Sequence, residues 1–400
     1  MKNLTTAALV CVLLTICSGA DWRQFRGPDY ANSTTGKLPA EFDSTAGIAW
    51  TAELPGRGLS GPIVVGDRIF VTSCTGINQD RLHVLCFDTA TGTQLWHRQF
   101  WATGLTMTHP KTNTAAPTPA SDGERIYALF STNDVFCLDL DGNLIWLRGL
   151  AEQYPNASNS LGLASSPTLV DNTLVVQLET DSESVAVGLD SQRGHTRWQQ
   201  PRPKQASWTT PTVVQRPNGN QLIALQSATG MTALDPASGQ IVWEYAQRCA
   251  SQPSTASNGS VTFVPSDGLV ALRDNGTSPE PEVLWKNNKL APSTPSPLLR
   301  GDRLYVVNKS VLKCGNAIDG ELLWQMRLDG TNFTSSPVAA GNYIYVFEES
   351  GKATVVEDGG SEGRIVGGGN LNETILCTPA IANNALFVRS DQHLFKISAQ

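Results

Sequence analysis

The chain is 400 residues long, which by length alone suits two or three domains. Only 16% of residues are charged and 40% are hydrophobic, which excludes a disordered chain and allows a large core. With 36 acidic against 29 basic residues the net charge is −7, and no Lys/Arg run occurs, so nucleic acid is excluded as a partner.

Residues 1–20 read as a secretory signal. Lys2 is the charged start, residues 7–17 are apolar, and Ser18, Gly19 and Ala20 supply a small-residue cleavage site. A lipid anchor at Cys17 is disfavoured, because Ile16 stands where a small residue is needed. No later stretch reaches the roughly 18–20 apolar residues of a transmembrane span. The expectation is an exported protein, periplasmic or secreted, acting as a monomer. Six cysteines remain after cleavage: Cys74, Cys86, Cys137, Cys249, Cys314 and Cys377. None are adjacent and no CxxC occurs, so a zinc site has no support.

Residues 21–46 form an N-terminal extension, and from residue 47 to 400 one pattern recurs. A small residue before proline opens each unit. An apolar run, a turn and two further apolar runs follow, the last ending in Asp. Gly comes four residues after the Asp and Trp eight after it, as in ALDPASGQIVW at 233–243. The opening prolines are Pro62, Pro117, Pro167, Pro211, Pro253, Pro297, Pro337 and Pro379, about 45 residues apart. Runs such as IVVGDRIFV and LLRGDRLYVV are strand–turn–strand hairpins, and no long helical period interrupts them. Eight such units predict an all-β chain, an eight-bladed β-propeller of four-stranded blades. The eighth unit lacks its outer strand. GIAWTAEL, with Trp50, supplies one at the other end, so the ring is expected to close by this early strand pairing into the last blade.

The periodic tryptophans Trp50, Trp96, Trp146, Trp198, Trp243, Trp285 and Trp324 are assigned to docking between blades. Unit seven offers Ile365 or Val366 instead. The Asp-x-x-x-Gly elements are turns between third and fourth strands. DLDGN at 139–143 falls on such a turn, so it is not a calcium loop. Cys86, Cys137 and Cys314 precede those turns where other units carry Gly188, Ala233 and Ala271, which marks them as small buried residues.

ALDPASGQIVW resembles the pyrroloquinoline-quinone-like (PQQ-like) repeat, and the resemblance extends over about residues 47–400. That family includes quinoprotein alcohol dehydrogenases and the BamB-type lipoprotein of outer-membrane assembly. DWRQFRGPD at 21–29 and HPKTNTAAPTPASDGERIYALF at 109–130 resemble secreted propellers of planctomycete-type bacteria. A quinoprotein would carry PQQ, Ca²⁺, vicinal cysteines and a catalytic Asp. This sequence has no adjacent cysteines and little room for inserts, so no catalytic or metal residue is assigned and no cofactor is expected. Likeness of fold does not carry function.

Candidate site residues come from departures from the repeat. The connections from Trp96 to Pro117 and from Trp146 to Pro167 are each 21 residues long, against 10 to 13 elsewhere. Residues 74–81 and 179–184 elaborate the same face of blades 1–3. Trp101, His109, Lys111 and Asn113 lie in the first long loop, and Tyr154 and Asn159 in the second. Trp208 lies outside the docking register. His83, His97, His195 and His393 sit at unrelated register, with no HExxH or GxSxG motif. The reading is a non-catalytic scaffold for a protein or peptide partner. The alternatives are a PQQ- and Ca²⁺-dependent oxidoreductase and a carbohydrate or small-ligand binder using Trp101, Trp208 and Tyr154.

Overall fold

A computed structural model describes residues 21–28, 33–34, 38–43, 46–158 and 161–399. Residues 1–20, where a signal is expected, and Asn159 lie outside these residues. The chain forms eight antiparallel four-stranded sheets, one of which gains a fifth strand. The inner strands are Ile63–Val65, Ala120–Ser121, Thr168–Val170, Thr212–Gln215, Ala256–Ser257, Leu298–Arg300, Val338–Ala340 and Ala380–Ala382. Each touches the inner strand of the next blade, and the last touches the first, so the sheets form a closed eight-bladed propeller. Ile48–Glu53 is the outer strand of blade 8, paired antiparallel with His393–Ile397.

Docking between blades uses one repeated device. Within blades 1 to 6 each tryptophan faces a small residue on its own third strand, such as Cys86 opposite Trp96, Cys137 opposite Trp146, Gly188 opposite Trp198 and Cys314 opposite Trp324, whereas Trp50 faces Lys396. The indole then reaches the next blade's turn. Trp50, Trp96, Trp146, Trp198 and Trp285 donate their N–H to the carbonyls of Thr89, Leu140, Ser191, Pro236 and Ala317, at 2.8 to 3.1 Å. Each carbonyl belongs to the residue just after the turn's Asp or Asn. The rings lie flat on Gly92, Gly142, Gly194, Gly239 and Gly320, where a Cβ would come within 2.5 to 2.8 Å. Sequence spacing between Asp, Gly and Trp is therefore a contact rule: Gly and Asp receive one blade's tryptophan while their own goes to the following blade.

Three expectations need correction. Inner strands begin two residues after a fixed position held by Gly61, Thr118, Ser166, Thr210, Ser254, Ser296, Ser336 and Thr378. In blade 2 the proline in register is therefore Pro119, not Pro117, and in blade 5 Thr255 stands there, not Pro253. In blade 7 the tryptophan position is neither Ile365 nor Val366. A bulge skips Val366 and sets Gly367 opposite Val355. Blade 8 joins strands from opposite ends of the chain and so has no third-to-fourth turn for a tryptophan to meet. Residues 40–42 fill the slot: Ala40 lies against Gly367, and Phe42, buried, lies against Gly369 and bonds the Gly368 carbonyl through its N–H at 3.1 Å.

The rest of the N-terminal segment enters the ring from the side opposite the long loops. Trp22 pairs with Val64 of the first inner strand, and Ser33–Thr34 pairs parallel with Val338–Ala340. Asp21 accepts from the Gly66 N–H, and Arg23 donates to the Asp122 carbonyl, both in inner hairpin turns. Chain that a simple propeller would leave outside thus occupies one end of the axial channel.

Candidate functional site

The remaining end of the channel is a cavity of about 720 Å³ on the elaborated face. Its wall is built by the position that opens each inner strand. The N–H of Gly61 donates to Thr118 Oγ1, that of Thr118 to Ser166 Oγ, and so on through Thr210, Ser254, Ser296, Ser336 and Thr378, at 2.8 to 3.2 Å. Each hydroxyl thereby ties one blade to its predecessor around the axis. Gly61 has no hydroxyl because the Thr378 carbonyl would stand 2.7 Å from its Cβ. The small residue before proline was visible in the repeat, but its task was not.

The structure brings together His109, Lys111 and Trp208, all of which line this cavity. His109 Nδ1 accepts from the Lys111 N–H at 3.1 Å. Lys111 reaches across the mouth to Glu349 of blade 7, with Nζ to Oε2 at 2.8 Å. Thr334 donates to the other oxygen of Glu349 at 2.6 Å. Arg57, paired with Asp391 at 2.9 Å, holds the same loop by donating to the carbonyls of Pro110 and Thr112. Half-buried Trp208 donates its indole N–H to the Gly162 carbonyl at 2.8 Å and stands between the loops of blades 3 and 4.

Other predicted residues lie elsewhere. Trp101 ends the outer strand of blade 1 at the rim, 61% exposed, with the Arg81 guanidinium 4.9 Å from its ring centroid. Asn113 is fully buried and caps its own loop by accepting from the Ala115 N–H. Tyr154 donates to Gln199 at 2.6 Å. Sequence reasoning missed Phe25, Lys309, Phe333 and Glu349, which also line the cavity. They lie in the N-terminal extension and in blades 6 and 7, far in sequence from the elaborated loops of blades 1–3, so no local motif joins them to those loops.

Two histidines that looked unrelated are neighbours. His83 and His97 lie on adjacent strands, with Nδ1 and Nε2 2.8 Å apart. Burial, then His97 and Arg81, draws the His83 pKa down to about 4. His393 pairs with Glu373 at 2.6 Å, and Ser390 bonds that carboxylate directly. Ser390 therefore has no imidazole base, and the group is not a hydrolytic triad.

A family model described as outer membrane protein assembly factor BamB matches residues 30–176, 98–318 and 308–400. The chain belongs to the BamB family. An outer membrane protein assembly factor BamB from Burkholderia pseudomallei (strain K96243) is 24% identical over 361 residues, covering 76% of this chain and 85% of that protein. BamB from Moraxella catarrhalis superposes with a TM-score of 0.63 at 17% identity, over 88% of this chain and 98% of that one. The quinohemoprotein alcohol dehydrogenase of Comamonas testosteroni gives a TM-score of 0.67 at 10% identity, over 95% and 81%. At such identities the likeness to solved structures is one of fold.

Quinoprotein neighbours raise the question of a quinone and its metal. Glu349 is the one carboxylate on the cavity wall among the described residues, and it is committed to Lys111 and Thr334. Cys377 is the one cysteine there, and no three His, Cys, Asp or Glu side chains among the described residues converge as metal ligands. The donor set of this BamB-family propeller does not fit a calcium–quinone pair, and no oxidative step is derived from it.

Proposed function

We propose that the protein is an exported, non-catalytic propeller scaffold that docks a protein or peptide partner on the loop face of blades 1–3. The observation that carries this reading is a concentration of exposed apolar side chains on that rim. Ile77 is 100% exposed, Leu105 79%, Met107 69% and Trp101 61%, on loops that are bound to one another. Gln79 donates to Thr108, Ala102 to the Asp80 carbonyl, Ser158 to Thr106 and His109 to the Leu161 carbonyl. A fixed apolar patch of this kind marks an interaction surface. Relatives named for outer membrane protein assembly support a partner within that process. No helix among the described residues is long and apolar enough to cross a membrane.

A photo-crosslinking residue at position 105 or 107, with one at position 283 on an outer strand as control, tests the reading in cells. The expected result is a discrete adduct with an outer-membrane assembly component from 105 or 107 only. Adducts of equal yield from position 283, or none from the rim, overturn it.

A further inference from the structure

The DWRQFRGP segment at 21–28 does more than tether itself to blades 1 and 2. Structurally it crosses the axial channel, from Trp22 at blade 1 to Arg26 at blades 5 and 6. Phe25 lines the cavity, and Arg26 lies beside it, 2% exposed. Arg26 Nη2 donates to the Pro297 carbonyl at 2.8 Å, and Nη1 donates to those of Thr255 and Ser254. Ser254 is itself a member of the hydroxyl ring. Arg26 Nε has no partner, and no carboxylate pairs with this guanidinium among the described residues. Its backbone stands at φ 72°, in the left-handed region that non-glycine residues avoid. A buried cation without an anion, on a strained backbone, is costly unless something bound offsets it.

The cavity above has a matching chemistry. Each of the seven ring hydroxyls accepts a backbone N–H, and none donates to a protein acceptor among the described residues. A hydroxyl that has accepted one bond still holds a proton to give. Seven such donors face one axis, with Arg26 below. Exposed Lys309 lines the wall with no ion pair among the described residues, while Lys111 neutralises Glu349. In a chain of net charge −7, the axis is thus rich in donors and positive charge. Trp208 and Phe333 add an aromatic flank.

We propose that the axial cavity binds a small organic anion, its carboxylate or phosphate seated on the hydroxyl ring above Arg26 and its remainder against Trp208 and Phe333. A volume of about 720 Å³ lies within the range of small-molecule sites. The site is separate from the apolar rim, so it stands whether or not the scaffold reading holds.

Calorimetric titration of the mature chain with citrate, glucose 6-phosphate and glucose, at low and high salt, tests it. At least one charged probe is expected to bind with Kd below about 1 mM, more weakly at high salt, while glucose does not bind. Citrate alone assigns a carboxylate ligand, and glucose 6-phosphate alone a phosphate. Lys309→Asn, which suits the local left-handed backbone, is expected to weaken binding about fivefold, and Lys286→Gln on an outer strand to leave it unchanged. Arg26→Met should abolish binding. If that variant fails to fold, Lys309→Asn still decides. Failure of both charged probes to bind, equal binding of glucose, or equal affinity in the Lys309 and Lys286 variants overturns the proposal.

Discussion

The indole of Trp50 lies on Gly92, 2.6 Å from where a Cβ would be, and donates its N–H to the Thr89 carbonyl at 3.1 Å. Trp50 belongs to blade 8 and Gly92 to blade 1, so this single contact carries the docking rule across the seam where the ends of the chain meet. The closing strand therefore holds the ring twice, by its ladder to His393–Ile397 and by its tryptophan.

The seam can be locked. Glu53 and His393 are directly opposed across it. A Glu53→Cys, His393→Cys pair is expected to form a disulfide that stabilises the fold by about 2–4 kcal/mol, since it closes a very long loop. Urea unfolding with and without reductant measures the gain; identical midpoints would show that the seam does not limit stability.

Trp198 and Trp243 occupy the same register but differ in one bond. Trp198 Nε1 donates to the Pro236 carbonyl at 2.8 Å, whereas Trp243 Nε1 has no acceptor, because blade 5 has a longer turn there. Trp198→Phe should cost about 1 kcal/mol more than Trp243→Phe, through the lost hydrogen bond. Trp243→Ala should cost about 3–5 kcal/mol, as Trp243 is only 2% exposed. Half-buried Trp208 should lose less stability on truncation and change ligand binding instead. Equilibrium denaturation of the four variants orders them.

Acid should loosen blade 1 through His83. Its folded pKa is drawn from 6.5 down to about 4, so between those values the unfolded chain takes up a proton that the folded protein refuses. Stability is intact above about pH 6.5 and declines as pH falls toward about 4. Burial lowers the His97 pKa in the same direction, and Arg81 adds a like charge. Urea midpoints from pH 7.5 to 4 should fall in the parent and flatten in His83→Gln. An unchanged slope in the variant would place the acid sensitivity elsewhere.

The thiols should be inert in the folded chain. All six among the described residues are free and buried. Burial pushes Cys86, Cys137 and Cys249 up to about 12, and Cys314 and Cys377 up to about 11. Iodoacetamide at pH 8 is expected to label none of them natively and all six in denaturant, read by intact mass. Native labelling of Cys377, on the cavity wall, would show that the site opens.

Blade number, closure by Trp50 and the small residues opposite the tryptophans were legible because each obeys a short spacing repeated about every 45 residues. A spacing rule survives even where one unit breaks it, as Gly367 and Thr255 do. Hydrogen-bond direction was not legible. The sequence displays Ser166, Thr210 and Ser254 as small residues before an apolar run. Only the ring geometry shows that their hydroxyls link blades, each accepting the N–H of the blade before it.

What the linear chain determined alone was the set of interactions made within a unit or between one unit and the next. What the tertiary structure decided was everything that meets on the axis: Lys111 with Glu349, Arg26 with Pro297, Trp208 and Phe333 on the wall of one cavity. These partners are separated by whole blades. Rotation of eight sheets about one line makes them neighbours, and no local periodicity records that rotation.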